Sequence, residues 1–128
     1  MLTILDTNIA IRLRDGDEES LRRVSARPGT SALSTVTRVE LEGGVYKEPA
    51  DSAVLRRRLD YLLESFEELP FGPREAAAYG AIVAASGFSR PRIPDRMIAA
   101  TALVADAILV TNNPRDFADV AGLKLEAW

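Results

Sequence analysis

Leu2-Thr3-Ile4-Leu5-Asp6-Thr7-Asn8 opens the chain, and Ala107-Ile108-Leu109-Val110-Thr111-Asn112-Asn113 repeats its form near the other end. Each is a short apolar run that stops on a polar turn. Runs of this length, apolar on both faces, mark strands buried inside a parallel sheet. Ala107–Val110 is the clearest strand of the sequence. Working outward, Ser31-Ala32-Leu33, Leu69–Phe71 and Leu123–Leu125 read as further strands, the last at an edge.

Helical stretches lie between them. Ile9–Arg14 stops near Gly16, and Asp17–Arg27 is weakly amphipathic and broken by Pro28-Gly29. Ser34 caps a helix carrying Val36, Val39, Leu41 and Val45 that ends before Pro49. Asp51 caps the next, with Leu55, Leu59, Leu62, Leu63 and Phe66 at helical spacing. Pro73–Ser86 is Ala-rich and ends at Gly87. Ser89–Pro94 reads as a loop, and Asp95 opens a helix to about Asp106. Strands alternating with helices predict an α/β fold: one three-layer α/β/α domain over residues 1–128, with a mainly parallel sheet of four to five short strands.

Composition excludes several chemistries. The 128 residues hold no cysteine and no histidine, which removes disulfides, thiolate or imidazole metal sites, and the His-dependent triads and dyads. Catalysis must rest on carboxylates, hydroxyls, Arg, Lys or an oxygen-held metal. The net charge of −3 argues against a protein that coats nucleic acid indiscriminately. The sixteen basic residues are fourteen Arg and two Lys, and Arg is the better bidentate partner for phosphate and carboxylate. The apolar start meets Asp6 without a basic leader, and no apolar run reaches membrane-spanning length, so a soluble cytoplasmic protein is expected.

Ligands of open α/β sheets collect beyond the carboxyl ends of the strands. Asp6 follows the first strand, and Thr111, Asn112, Asn113 and Asp116 follow Ala107–Val110. Glu40 and Asp95 lie on helices that can face the same cleft. Carboxylates gathered together repel, and take up protons unless a cation intervenes. Oxygen-only ligands suit Mg²⁺ or Mn²⁺, which polarise a phosphodiester and acidify a water. Taken singly, Asp6, Asp95 and Asp116 are also ordinary caps or turn formers, and Glu40 a solvated helix residue.

Four strings together resemble the PIN-domain family, and within it the VapC-type toxin ribonucleases of bacterial toxin–antitoxin pairs. They are Ile4–Asn8, Ser34–Leu41, Ile93–Ala102 and Leu109–Phe117, and they span almost the whole chain. The resemblance implies a metal-dependent endoribonuclease whose Mg²⁺, with Mn²⁺ as a substitute, sits in an acidic pocket. It further implies an RNA substrate, a cognate VapB-type antitoxin and a homodimer. By position, Asp6, Glu40, Asp95 and Asp116 match the family's acids, with Asn8, Thr111 and Asn113 as supporting polar groups. Asp6 and Asp95 would ligate directly, Asp116 directly or through water, and Glu40 would orient or deprotonate the attacking water. Asn113 stands where some members carry an acid.

Arg12, Arg38, Arg92, Arg96 and Arg115 lie near these strings and are candidates for holding RNA phosphates, or ordinary surface and ion-pair residues. Arg56-Arg57-Arg58 winds around its helix and reads as a solvated face. Tyr46, Tyr61, Tyr79 and Trp128 read as core or interface residues. A phosphatase with an aspartyl nucleophile after the first strand is disfavoured, because Asn8 stands where that chemistry needs a second acid. No Gly-x-Gly-x-x-Gly follows a strand, which disfavours a dinucleotide-binding domain.

Overall fold

The computed structural model describes all of residues 1–128. β1 (Leu2–Leu5) leads at once into α1 (Thr7–Arg14), with Asp6 as the joint; its carboxylate accepts from the Thr7 backbone N–H, one of the free amides at the helix start. Asp17 caps α2 (Glu18–Ala26) by accepting from the Ser20 N–H. β2 (Thr30–Ser34) leads into α3 (Thr35–Val45), whose cap is the Ser34 hydroxyl accepting from the Val36 N–H. α4 (Ser52–Ser65), β3 (Glu67–Leu69), α5 (Pro73–Ser86), α6 (Ile93–Val104), β4 (Ile108–Thr111) and β5 (Lys124–Ala127) complete the chain.

Several boundaries differ from the sequence expectation. α1 starts at Thr7 rather than Ile9, β2 covers Thr30–Ser34 rather than Ser31–Leu33, and β4 covers Ile108–Thr111 rather than Ala107–Val110. Asp51, the last residue of a 3₁₀ turn, precedes α4 without a side-chain cap. β3 falls on Glu67–Leu69 rather than Leu69–Phe71, because Glu67, Glu68 and Leu69 pair with Ala32, Leu33 and Ser34. As an edge strand it tolerates two acids, while Leu69 and Phe71 pack against the core beside it. α6 begins at Ile93 rather than Asp95, since a 3₁₀ turn over Arg90–Arg92 runs straight into it and Pro94 fits the first helical turn. Asp95 is therefore inside the first turn. β5 covers Lys124–Ala127 rather than Leu123–Leu125, set by pairing with Ile108–Thr111.

All strand pairs are parallel, in the order β3-β2-β1-β4-β5. The chain builds outward from β1 to β3, then crosses to the other side of β1 to lay down β4 and β5. The carboxyl ends of β1 and β4 thus flank the point where the winding direction switches, where open sheets leave a crevice. Side chains alternate across the sheet. Ile4 and Leu109 pack with Ile82, Ile98 and Phe117 on the α5–α6 side, whereas Leu5 and Val110 pack with Ile9, Leu13, Leu41 and Leu59 on the α1–α3–α4 side. Each face is covered, giving the expected three layers.

Leu109 is fully buried on the central pair of strands. Leu109→Ala should lower the unfolding free energy by about 2–5 kcal/mol in urea titrations, through lost transfer energy and the cavity left behind. A loss below about 1 kcal/mol would contradict this packing.

Candidate active site

Four carboxylates that lie far apart in sequence line one cavity of about 460 Å³: Asp6, Glu40, Asp95 and Asp116. Each arrives on a different element. Asp6 ends β1 and caps α1, Glu40 lies on α3, Asp95 on the first turn of α6, and Asp116 in the 3₁₀ turn Pro114–Phe117 after β4. The sheet brings Asp6 against the end of β4, where its backbone N–H donates to the Val110 carbonyl at 2.9 Å.

Asp6 is the most deeply placed acid, only 4% exposed. One carboxylate oxygen accepts from the Thr7 N–H at 2.8 Å and the other from the Thr111 hydroxyl at 2.7 Å. Burial pushes its carboxyl above the usual range, the two hydrogen bonds oppose that, and the charge of Asp116 adds to it. The Thr111 hydroxyl also accepts from the Asn113 N–H at 2.9 Å, so the turn after β4 aims it at Asp6. Thr7 does the same work toward α3: its hydroxyl donates to Glu40 at 2.7 Å and lies 3.0 Å from the Thr37 hydroxyl.

Asp95 carries the clearest electrostatic signature. Its carboxyl is pushed up to about 6, first by partial burial and then by the charges of Asp6, Asp116 and Glu40, with Arg92 pulling the other way. Three acids thus act on a fourth through space, which only convergence produces. Such a cluster is stabilised by taking up a proton or a cation.

The donor set fits a hard divalent ion: every charged group with a lone pair is a carboxylate, and no nitrogen or sulfur ligand is available. The side chains do not close a cage, since no three acids are grouped tightly enough to share one ion. An ion bound here would take one or two carboxylates and keep water, as Mg²⁺ does. The opening also carries Arg14 and Lys47, cations beside an otherwise negative hollow. A separate cavity of about 390 Å³ between α1, α2 and α4 is lined by Leu13, Val24, Tyr61 and Phe66 with Arg57 and Arg58, and holds no acid to supply chemistry.

The remaining expected residues separate by position. Asn8 lines both the acidic cavity and a neighbouring one, whereas Asn113 lines the neighbouring one. Arg38 is engaged by Glu42 and Glu68, and Arg96, only 3% exposed, pairs with Asp119 at 3.0 Å and donates to the Gly87 carbonyl at 2.6 Å. Both are structural ion-pair residues. Arg12, Arg92 and Arg115 remain exposed. Arg56 is committed to Glu42 and Asp60, while Arg57 and Arg58 stay exposed, so the triplet is only partly a solvated face. Trp128 donates to Glu126 and stacks under Arg23, but Tyr46 and Tyr61 are exposed, Tyr61 at 74%, and do not join the core. Thr7 and Thr37 were not singled out from sequence as site residues. The signal was present, because Thr37 and Glu40 are three apart on one helix and share a face.

A family model for the PIN domain matches residues 3–123. The chain is 34% identical over 128 residues to a tRNA(fMet)-specific endonuclease VapC of Shigella flexneri, covering 98% of this chain and 96% of that one. It is 33% identical over 128 residues to a ribonuclease VapC2 of Haemophilus influenzae, with the same coverage of 98% and 96%. Among solved structures, a VapBC2 complex of Rickettsia felis bound to a promoter DNA fragment contains a similar chain, with a TM-score of 0.88 and 28% identity over 100% of this chain and 99% of that one. DNA-bound VapBC of Salmonella typhimurium gives a TM-score of 0.87 and 27% identity over 100% and 99%.

The raised carboxyl of Asp95 predicts a pH-dependent stability. Its value in the fold, about 6, exceeds the ordinary 3.8, so the folded chain holds a proton that the unfolded chain releases. The resulting stability is complete below 3.8 and lost as pH rises through about 6. Asp95→Asn should therefore stabilise the metal-free protein at pH ~8 by about 1 kcal/mol, after discounting for solvent screening of a half-exposed group, and by almost nothing at pH ~4. Denaturant titrations in EDTA at both pH values measure it, and equal effects at both would contradict it.

Proposed function

The chain belongs to the PIN-domain family and, within it, to the VapC ribonucleases, and from that premise we propose that Asp6 and Asp95 ligate a divalent cation directly and Asp116 reaches it through water, the ion being Mg²⁺ with Mn²⁺ as a substitute, for the hydrolysis of RNA phosphodiester bonds. The protein is a ribonuclease, the toxin half of a toxin–antitoxin pair. The observation that carries the site assignment is that four acids from four separate elements line one cavity, with the raised carboxyl of Asp95 in keeping with it. A lone cap or surface acid would not show it.

When bound, the cation neutralises charge on the phosphodiester and lowers the pKa of a water. The residues of the chain do the rest. Asp6, immobilised by Thr7 and Thr111, offers a ligand that needs no rearrangement. Asp95 approaches from α6 and Asp116 from the turn after β4, and the repulsion that their proximity imposes is offset by a cation between them. Glu40 is exposed on the cavity wall and held by the Thr7 hydroxyl, which leaves its second carboxylate oxygen to orient the attacking water and take its proton. That water forms the new bond to phosphorus as the bond to the leaving oxygen breaks, and the leaving oxygen takes a proton from solvent as it departs as a hydroxyl.

The domain extends over residues 1–128, slightly past the matched span, because β1 starts at Leu2 and β5 ends at Ala127. The partner is a VapB-type antitoxin, supported by the VapBC complexes that hold similar chains. A homodimer and a cytoplasmic setting complete the reading, on the strength of the family resemblance.

Asp6→Asn should reduce cleavage of total RNA by about 100-fold or more, since the cation contributes several kcal/mol of transition-state stabilisation, while the circular dichroism spectrum is retained. EDTA should abolish wild-type cleavage, and Mg²⁺ or Mn²⁺ should restore it. Undiminished cleavage by the variant would remove Asp6 from the site; release of phosphate from small esters with no cut in RNA would point to phosphatase chemistry.

A further inference from the structure

Beside the acidic cavity lies a second polar one, about 390 Å³, lined by Asn8, Ile11, Arg12, Asn112 and Asn113. Asn8 and Ile11 line both, so the two hollows meet along the first turns of α1. The second holds no carboxylate. It therefore does not repel phosphate as its neighbour does. Its volume lies within the ~300–1,000 Å³ of small-ligand sites.

The lining has an uncommon composition, three side-chain amides and one guanidinium. An amide presents a donor and an acceptor side by side, the pattern that matches the edge of a nucleobase. No aromatic lines this cavity, so recognition here works through base edges rather than stacking. Asn112 supplies an independent observation. Its Oδ1 is cut off from solvent and has no hydrogen-bond partner in the chain. A carbonyl sealed away without a partner is costly, so the chain gains when the Asn112 amide turns its oxygen outward to a donor, which a base edge in the cavity supplies. Arg12 is exposed and stands outside the ion pairs that engage Arg14, Arg38, Arg56 and Arg96.

We propose that this amide-lined cavity is the subsite for a nucleotide adjoining the scissile phosphodiester of single-stranded RNA, with Asn112 and Asn113 reading the base edge and Arg12 holding a phosphate. The inference rests on the ribonuclease reading. It deepens that reading by assigning sequence preference to the turn after β4 rather than to the acids. Cleavage chemistry and base choice then sit in adjoining hollows, with Asn8 and Ile11 as the shared wall.

The test uses wild type, Asn112→Ala and Arg12→Ala with short single-stranded oligoribonucleotides of random sequence, mapping cut sites and measuring KM and kcat. Asn112→Ala should raise KM about tenfold with kcat within about twofold, and flatten the base preference at one position flanking the cut. Arg12→Ala, a surface change that leaves folding intact, should raise KM for all sequences alike and weaken its salt dependence. KM and base preference unchanged in both variants would overturn the subsite. If wild type cuts no RNA, the ribonuclease reading fails separately, and fluorescence-anisotropy binding of the same oligonucleotides decides: about tenfold weaker binding by both variants supports the subsite, and equal or absent binding overturns it.

Discussion

Mutual repulsion among carboxylates is the constraint on which the rest of this molecule depends. Asp6, Glu40, Asp95 and Asp116 are delivered to one cavity by four different elements, and nothing in their own chemistry favours the meeting. The energy that holds them comes from elsewhere, chiefly the two apolar cores on either face of the sheet. Leu5 and Val110 anchor the strand ends that carry Asp6 and the turn toward Asp116, and Ile98 anchors the helix that carries Asp95. Stability spent on the site in this way is a general feature of active sites that bind charge.

Hydroxyl groups fix the arrangement without adding charge. Thr111 spans from the end of β4 to Asp6, and Thr7 spans from the start of α1 to Glu40. Each turns a flexible carboxylate into a positioned one, and each lies next to an acid or a strand end in sequence. The pair of buried Arg96 with exposed Asp119 does related work at longer range. It ties the helix bearing Asp95 to the segment just after the turn bearing Asp116, so two elements whose acids repel are cross-linked nearby.

Much of this was legible in the sequence because the strongest signals are local. Apolar runs ending on polar turns located β1 and β4, and the strand-end rule then put Asp6 near the segment after Val110. Ser34 signalled its helix start, whereas Asp51 precedes α4 without capping it. Other features were set by partners that a single sequence does not display. β3 is specified by pairing with Ala32–Ser34 more than by its own Glu67 and Glu68. The first turn of α6 depends on the preceding 3₁₀ turn as well as on Pro94. Arg38 and Arg96 sit in motif strings and look available for phosphate, yet Glu68 and Asp119 claim them across the fold. That Asn113 lines the neighbouring cavity rather than the acidic one depends on the path of one turn, which spacing does not encode.

Crystals grown near pH ~8 and soaked in Mn²⁺, where carboxylates are ionised, test the central claim most directly through an anomalous difference map. The account predicts a peak inside the acidic cavity, within ~2.0–2.4 Å of a carboxylate oxygen of Asp6 or Asp95, with water completing the coordination. A map with no peak there at saturating Mn²⁺, or with manganese bound only at acids outside the cavity, would contradict it.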